Sequence, residues 1–208
     1  MQTLIDQLRV RLKDHIEINL EVENLDFDNM IICTNAHEAA AILENRYPMI
    51  SKELNKITYR DISTATLITK TPISFLRSSF GILFAPKSKD LNSLGILSNS
   101  EIYPKRTVSK ELNSYTFIVK GTKDIEQKVH SDLNYISQDQ VMGGKKSLTI
   151  TCWTKGIPLY DLNRYKTILQ IRSKFVEVPR GLVLFGNYID GISIREIITM
   201  AKQFTQKN

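Results

Sequence analysis

The chain has 208 residues, 42% of them hydrophobic, and apolar positions recur along its whole length, which excludes a disordered chain and allows one large domain or two small ones. Its net charge is +6 with a pI near 9.2. The lysines and arginines are scattered, however, and the densest group (Lys105, Arg106, Lys110) has no interleaved aromatics. That pattern points away from nucleic acid and supports, at most, weak peripheral contact with an anionic membrane surface.

Leu4, Ile5, Leu8 and Leu12 recur at helical spacing between charges, so residues 1–14 read as an amphipathic helix and not as a signal peptide. Residues 15–25 alternate apolar and polar and read as a strand. Residues 30–34 form a short apolar strand, 36–45 an alanine-rich helix, and Pro48 opens a second short helix with Ser51, Lys52 and Glu53 on its exposed side.

A strand-rich middle follows, over 58–69, 80–85, 94–98 and 114–120. It is interrupted by a helical period through Ile125, Val129, Leu133 and Ile136, and Gly143-Gly144 marks a break. The closing elements are a strand over 148–153, a helix over 164–176, a strand over 181–185 and a helix over 190–204. The fold class this predicts is a mixture of α+β and α/β: an incomplete α/β layer built from both chain ends, and a mostly antiparallel sheet with flanking helices.

Cys33 and Cys152 sit in apolar runs without zinc spacing or a redox pair, and they read as buried free thiols. With no disulfide framework, a reducing cytoplasmic compartment is expected. No G-x-S-x-G, H-E-x-x-H or P-loop occurs, and His15, His37 and His130 are far apart in sequence, so hydrolase and metal-ion chemistry have no support. His37, near a helix start, is expected to make a local hydrogen bond.

The segment richest in chemistry is GLVLFGNYIDGISI, residues 181–194. A strand that feeds a helix through Gly186 and Gly191 brings helix-terminal N–H groups and the helix dipole to one spot, and glycines let a flat ligand approach the backbone. Taken alone, the same pattern is also that of an ordinary turn. In TCWTKGIPLY, residues 151–160, Trp153 could wall a cofactor or serve as packing.

Together, WTKGIPLY and GLVLFGNYIDGISI resemble the C-terminal signature of the protoporphyrinogen oxidases, within the FAD-dependent amine-oxidase superfamily. Other segments resemble that family in collinear order: MQTLIDQL, IEINLEVENL, IICTNAHEAA, FGILFAP and LGILSNSEIYPKR. The resemblance covers nearly the whole chain but only the C-terminal half of the family. No G-x-G-x-x-G turn for the FAD pyrophosphate occurs.

The resemblance implies an FAD-binding part over 1–34 and 148–208 and a substrate-binding part over 35–147. It places Val22 at the adenine side of FAD, Trp153 near the flavin, and Gly186, Gly191, Ile192, Ser193 and Ile194 at the flavin and ribityl end. Phe80, Leu83 and Leu97 would line the pocket for a tetrapyrrole. It implies protoporphyrinogen or coproporphyrinogen oxidation in heme biosynthesis, a separate N-terminal half chain as partner, and a place in the cytoplasm or against the inner face of the membrane. The alternatives are a non-catalytic remnant or binding module and another oxidoreductase of the same superfamily.

Overall fold

The computed structural model describes residues 2–21, 27–85, 88, 90–106, 109, 111–137, 140–174, 181–189, 191 and 193–207, with backbone only at 106, 137, 140, 142 and 207. Two hydrophobic cores organise it, one under a five-stranded sheet and one around a two-stranded parallel pair.

The sheet is built from β2 (Tyr59–Thr69), β3 (Gly81–Leu83), β4 (Ser93–Ser98), β5 (Asn113–Lys120) and β6 (Lys145–Pro158). Its order is β3-β4-β5-β2-β6, and every neighbouring pair is antiparallel. Residues of a strand alternate between faces, so the register fixes what each face carries. One face presents Ala65, Leu67, Ile96, Tyr115, Phe117 and Val119, all buried. Helix α5 (Ile125–Ser137) covers that face through Ile125, Val129 and Leu133, the i, i+4, i+8 stripe legible in the sequence. Removing a side chain of this size from water stabilises by about 1.5–3 kcal/mol.

The second core gathers β1 (Met30–Ile32), α2 (Ala36–Leu43), α3 (Pro48–Leu54), α7 (Leu162–Lys174) and β7 (Leu182–Leu184). β1 and β7 run parallel, with Met30 opposite Leu182 and Ile32 opposite Leu184. An Asn35–Glu38 capping box starts α2, and Ala36, Ala39, Ala40 and Leu43 bury its i, i+3, i+4, i+7 face. Thus α2 and α3, within the 35–147 part that the resemblance implies, pack on the parallel pair, while β6, mostly within its 148–208 part, is a strand of the antiparallel sheet.

The sequence reading needs correction at several points. Residues 16–21 of the expected strand are not a strand: no described strand lies beside them, and a strand without a ladder leaves its backbone to water. Residues 22–25 of that strand lie outside the described residues. Both cysteines are exposed, although the Cys33 thiol is partly desolvated and its pKa is raised by that desolvation. The exposure describes the residue's open side, and the raised pKa describes the sulfur's immediate surroundings.

Ser51 and Glu53 are buried, because α3 packs between α2 and α7; the Glu53 carboxylate is paired with Lys56 at 2.7 Å. The expected fold class holds in outline, as a mixed α/β chain with an antiparallel sheet and a small parallel pair. The first helix, α1 (Gln2–Arg11), forms as expected but buries nothing.

Candidate functional site

β1 and β7 end side by side. Cys33 follows β1, and Phe185 donates its amide to the Ile32 carbonyl at 2.9 Å just before Gly186. In parallel α/β layers, ligands gather outside the carboxyl ends of the strands. Here that end is closed by Tyr188 and Tyr59. Tyr188 is fully buried, and its hydroxyl has no partner among the described residues. Desolvation holds its pKa well above the usual phenol value, with smaller contributions from Tyr59 and Cys33.

The Tyr59 hydroxyl accepts the Ala36 amide at 2.9 Å, and its ring meets His37 edge-on at 5.4 Å. His37 Nδ1 lacks a partner among the described residues, contrary to the local hydrogen bond expected of it.

Beyond Gly186 the chain turns, with the Ile189 amide donating to the Gly186 carbonyl at 3.0 Å. A side chain at Gly186 would meet the Tyr188 ring at 3.0 Å. Gly191 has φ +77, the left-handed region where glycine is at home, and a Cβ there would stand 2.7 Å from the Glu196 Cβ. Both glycines are therefore required by the backbone path into α8 (Ile194–Lys207).

The α8 start differs from its sequence expectation. Ser193 is its N-cap: its Oγ accepts the Glu196 amide at 3.2 Å, and the Glu196 carboxylate accepts both the Ser193 amide and hydroxyl at 2.9 Å. Part of the donor set expected for a ligand is thus met by the chain's own capping box. A hollow of about 520 Å³ lies against Gly191, Ser193, Arg195, Glu196, Thr199 and Met200. Ile194, 42% exposed, opens the helix, whereas Val22 and Ile192 lie outside the described residues.

The residues expected to meet substrate do not form one pocket. Leu83 stands opposite Gly95, two residues before Leu97, so Leu83 and Leu97 share the face of the sheet away from α5. Trp153 belongs to the same face, opposite Ile62, at the far edge of the sheet. Leu83 is 82% exposed and Trp153 54%, because no described element covers this face. Four strand steps separate β3 from β6, roughly 19 Å of open surface.

Between them lie Ile118, Thr64, Thr66 and Thr116, with the two threonine hydroxyls of 66 and 116 bonded at 3.0 Å and Asn99 donating to Thr116 at 2.7 Å. Phe80, 71% exposed, instead lines a small depression of about 270 Å³ with Ser78, Ser79, Glu101 and Ile102. The sequence reading missed the threonine row. Both faces of β2 carry β-branched or small residues, and alternation alone does not say which face is covered. Tyr59 and His37, which folding brings to the same end of the layer, carry no local signal in the sequence, whereas Tyr188 lies two residues past Gly186.

A larger hollow, about 850 Å³ beside α5 and β6, contains none of the expected site residues. Among the described residues no cluster of His, Cys, Asp or Glu could hold a metal ion, and no helix is long and apolar enough to cross a membrane.

The fold resembles part of several larger solved structures. Nearly all of the chain (98%) superposes on half (50%) of a structure assigned as a protoporphyrinogen oxidase from Exiguobacterium sp. 255-15, with a TM-score of 0.74 and 16% identity. A reduced UDP-galactopyranose mutase matches 79% of the chain over 36% of its own length, with a TM-score of 0.61 and 14% identity. An oxidoreductase from Methanosarcina mazei matches 86% of the chain over 43% of its own length, with a TM-score of 0.56 and 12% identity. The chain thus spans half or less of the length of each of these structures. No protein-family model matches it, and no curated protein matches it by sequence.

Proposed function

We propose that the chain is the C-terminal portion of an FAD-dependent porphyrinogen oxidase of heme biosynthesis, acting on protoporphyrinogen IX or coproporphyrinogen III. The observation that carries this reading is the continuous likeness in fold, over 98% of the chain, to half of a protoporphyrinogen-oxidase structure. The ordered sequence segments and the backbone at Gly186 and Gly191 support it. Bound FAD would supply a hydride acceptor that oxygen reoxidises.

The chain's own residues fit the ring end of such a cofactor better than its pyrophosphate end. Gly186 and Gly191 bound the turn that leaves the carboxyl end of β7, with the Tyr188 ring and the Glu196 Cβ packed against them, whereas no G-x-G-x-x-G turn occurs in the sequence. The reading therefore includes a partner, a separate chain that supplies the dinucleotide-binding half. Leu83 and Leu97, on the sheet face away from α5, offer apolar contact to a large, flat, mostly apolar macrocycle. The proposed residence is the cytoplasm, with weak contact to the inner face of the membrane.

A second reading, a non-catalytic remnant or binding module, is favoured by Glu196. Its carboxylate already sits on the Ser193 amide, where a reduced flavin's negative charge would need donors. Purified chain, alone and mixed with a chain carrying the dinucleotide half, decides between the two. Flavin absorbance in the visible bands and porphyrin fluorescence developing from added porphyrinogen are the expected result. A colourless, inactive mixture overturns the oxidase reading and leaves the remnant.

A further inference from the structure

Two side chains at the start of α7 converge on the turn after Gly186. The Tyr160 hydroxyl donates to the Asn187 carbonyl. Arg164 Nε donates to the Tyr188 carbonyl at 2.9 Å, and its Nη2 donates to the Ile189 carbonyl at 2.8 Å. The guanidinium also lies over the Tyr160 ring, 4.1 Å from its centroid, so the two clamp residues hold one another. Asp161 fixes the start of the helix that carries Arg164, its carboxylate accepting the Arg164 amide at 2.8 Å.

Three successive carbonyls are thereby drawn to one side. A trans peptide unit points its N–H opposite its C=O. With the Gly186 carbonyl turned in toward Ile189, the Asn187 amide points out of the turn, and it donates to no described residue. Among the described residues no carboxylate pairs with Arg164, so its positive charge stays at the turn. A turn that served only to reverse the chain would not need a doubly bonded arginine.

We infer that Tyr160 and Arg164 are positioning residues for a ligand received at the Gly186–Gly191 turn. They hold its carbonyls away, present the Asn187 amide and keep a positive charge beside it, for the electron-rich edge of a flat ring that becomes negative on reduction. This rests on the flavin-oxidase reading above and adds to it the residues that set the turn.

The test uses the flavin-bearing assembly and the purified chain with R164M, R164K and Y160F. In the purified chain, exchange of the Ile189 amide, which is bonded to the Gly186 carbonyl, is expected to quicken about tenfold or more in R164M, corresponding to about 1.4 kcal/mol, with β2 and β5 unchanged. R164K, which can serve one carbonyl but not two in a fixed fork, restores part of the protection. In the assembly, R164M is expected to weaken FAD binding about tenfold and to move the flavin midpoint potential more negative. Y160F moves both in the same direction by less.

Quickened exchange with unchanged FAD affinity and potential makes the clamp a purely structural tie and overturns the proposal while leaving the oxidase reading intact. Unchanged exchange in R164M overturns it as well. Wild-type assembly that takes up no flavin overturns both readings together.

Discussion

Asp132 shows how much one buried side chain can organise. It lies on α5, fully buried, and its carboxylate accepts the Asn92 amide at 2.8 Å, the Asn92 side chain at 3.1 Å, and the amide and hydroxyl of Ser93. Those donors belong to the entry of β4, where the pairing with β5 slips by a bulge. Four hydrogen bonds let a carboxylate stay buried, and its removal leaves buried donors unmet. Asp132→Ala is expected to cost about 3 kcal/mol in urea unfolding, by the magnitude of lost bonds to a charged group.

Tyr188 gives a test of opposite character. Its hydroxyl has no described partner, so Tyr188→Phe is expected to leave stability near pH 7 unchanged or raised by about 1 kcal/mol. Its folded pKa lies above the unfolded value. The unfolded chain then loses that proton first, so the stabilising contribution is whole below about pH 10 and is lost as pH rises above it. Unfolding followed from pH 8 to 11 should show a steep alkaline loss that Tyr188→Phe flattens. Cys33 follows the same logic, its thiol pKa being raised by desolvation. Alkylation of Cys33 near pH 8 should lag behind that of a free thiol peptide despite the residue's exposure.

At the scale of elements, the start of α8 is the informative case. The sequence places a helix directly after Gly191; the structure starts it at Ile194, because Ser193 and Glu196 close a capping box. Ser193→Ala should cost about 1 kcal/mol, the usual worth of a cap, and should quicken amide exchange at Glu196 and Ile197. The extent of β6 was also underestimated. It runs past Trp153 to Pro158, through an irregularity in which Lys155 adopts φ 50 and donates its amide to Asp61 at 2.8 Å. Such a twist, with Lys145, Lys146 and Lys155 along it, blunts an edge strand against pairing with other chains. Gly156 and Pro158 in sequence spell a turn; the long partner β2 keeps the segment extended.

The whole molecule divides into a well-packed sheet with α5 and a thinner layer around β1 and β7. A two-stranded sheet is marginal without further strands, and parallel strands are seldom left open. Amide exchange should therefore be slow in β2 and β5 and much faster at 182–185; strong protection of 182–185 in the isolated chain would contradict an incomplete layer. Residues 2–21 are all exposed, and Leu4, Ile5, Leu8 and Leu12 form an apolar stripe with nothing described beneath it. Leu8→Lys should leave the unfolding midpoint unchanged and reduce self-association in sedimentation, because it removes an apolar patch but no core contact.

The amino-acid sequence by itself determined most elements, since the alternation in 114–120, the i, i+4, i+8 stripe of α5 and Pro48 at the head of α3 are local patterns. It also placed the strand, the two glycines and the helix of the candidate site in order along the chain. Only the tertiary structure decided which faces are covered, because burial depends on what packs against a strand and not on its own alternation. It was packing that left residues 16–21 without a described strand partner and brought Tyr59, Tyr160 and Arg164 from distant parts of the chain around the turn that carries Gly186 and Tyr188.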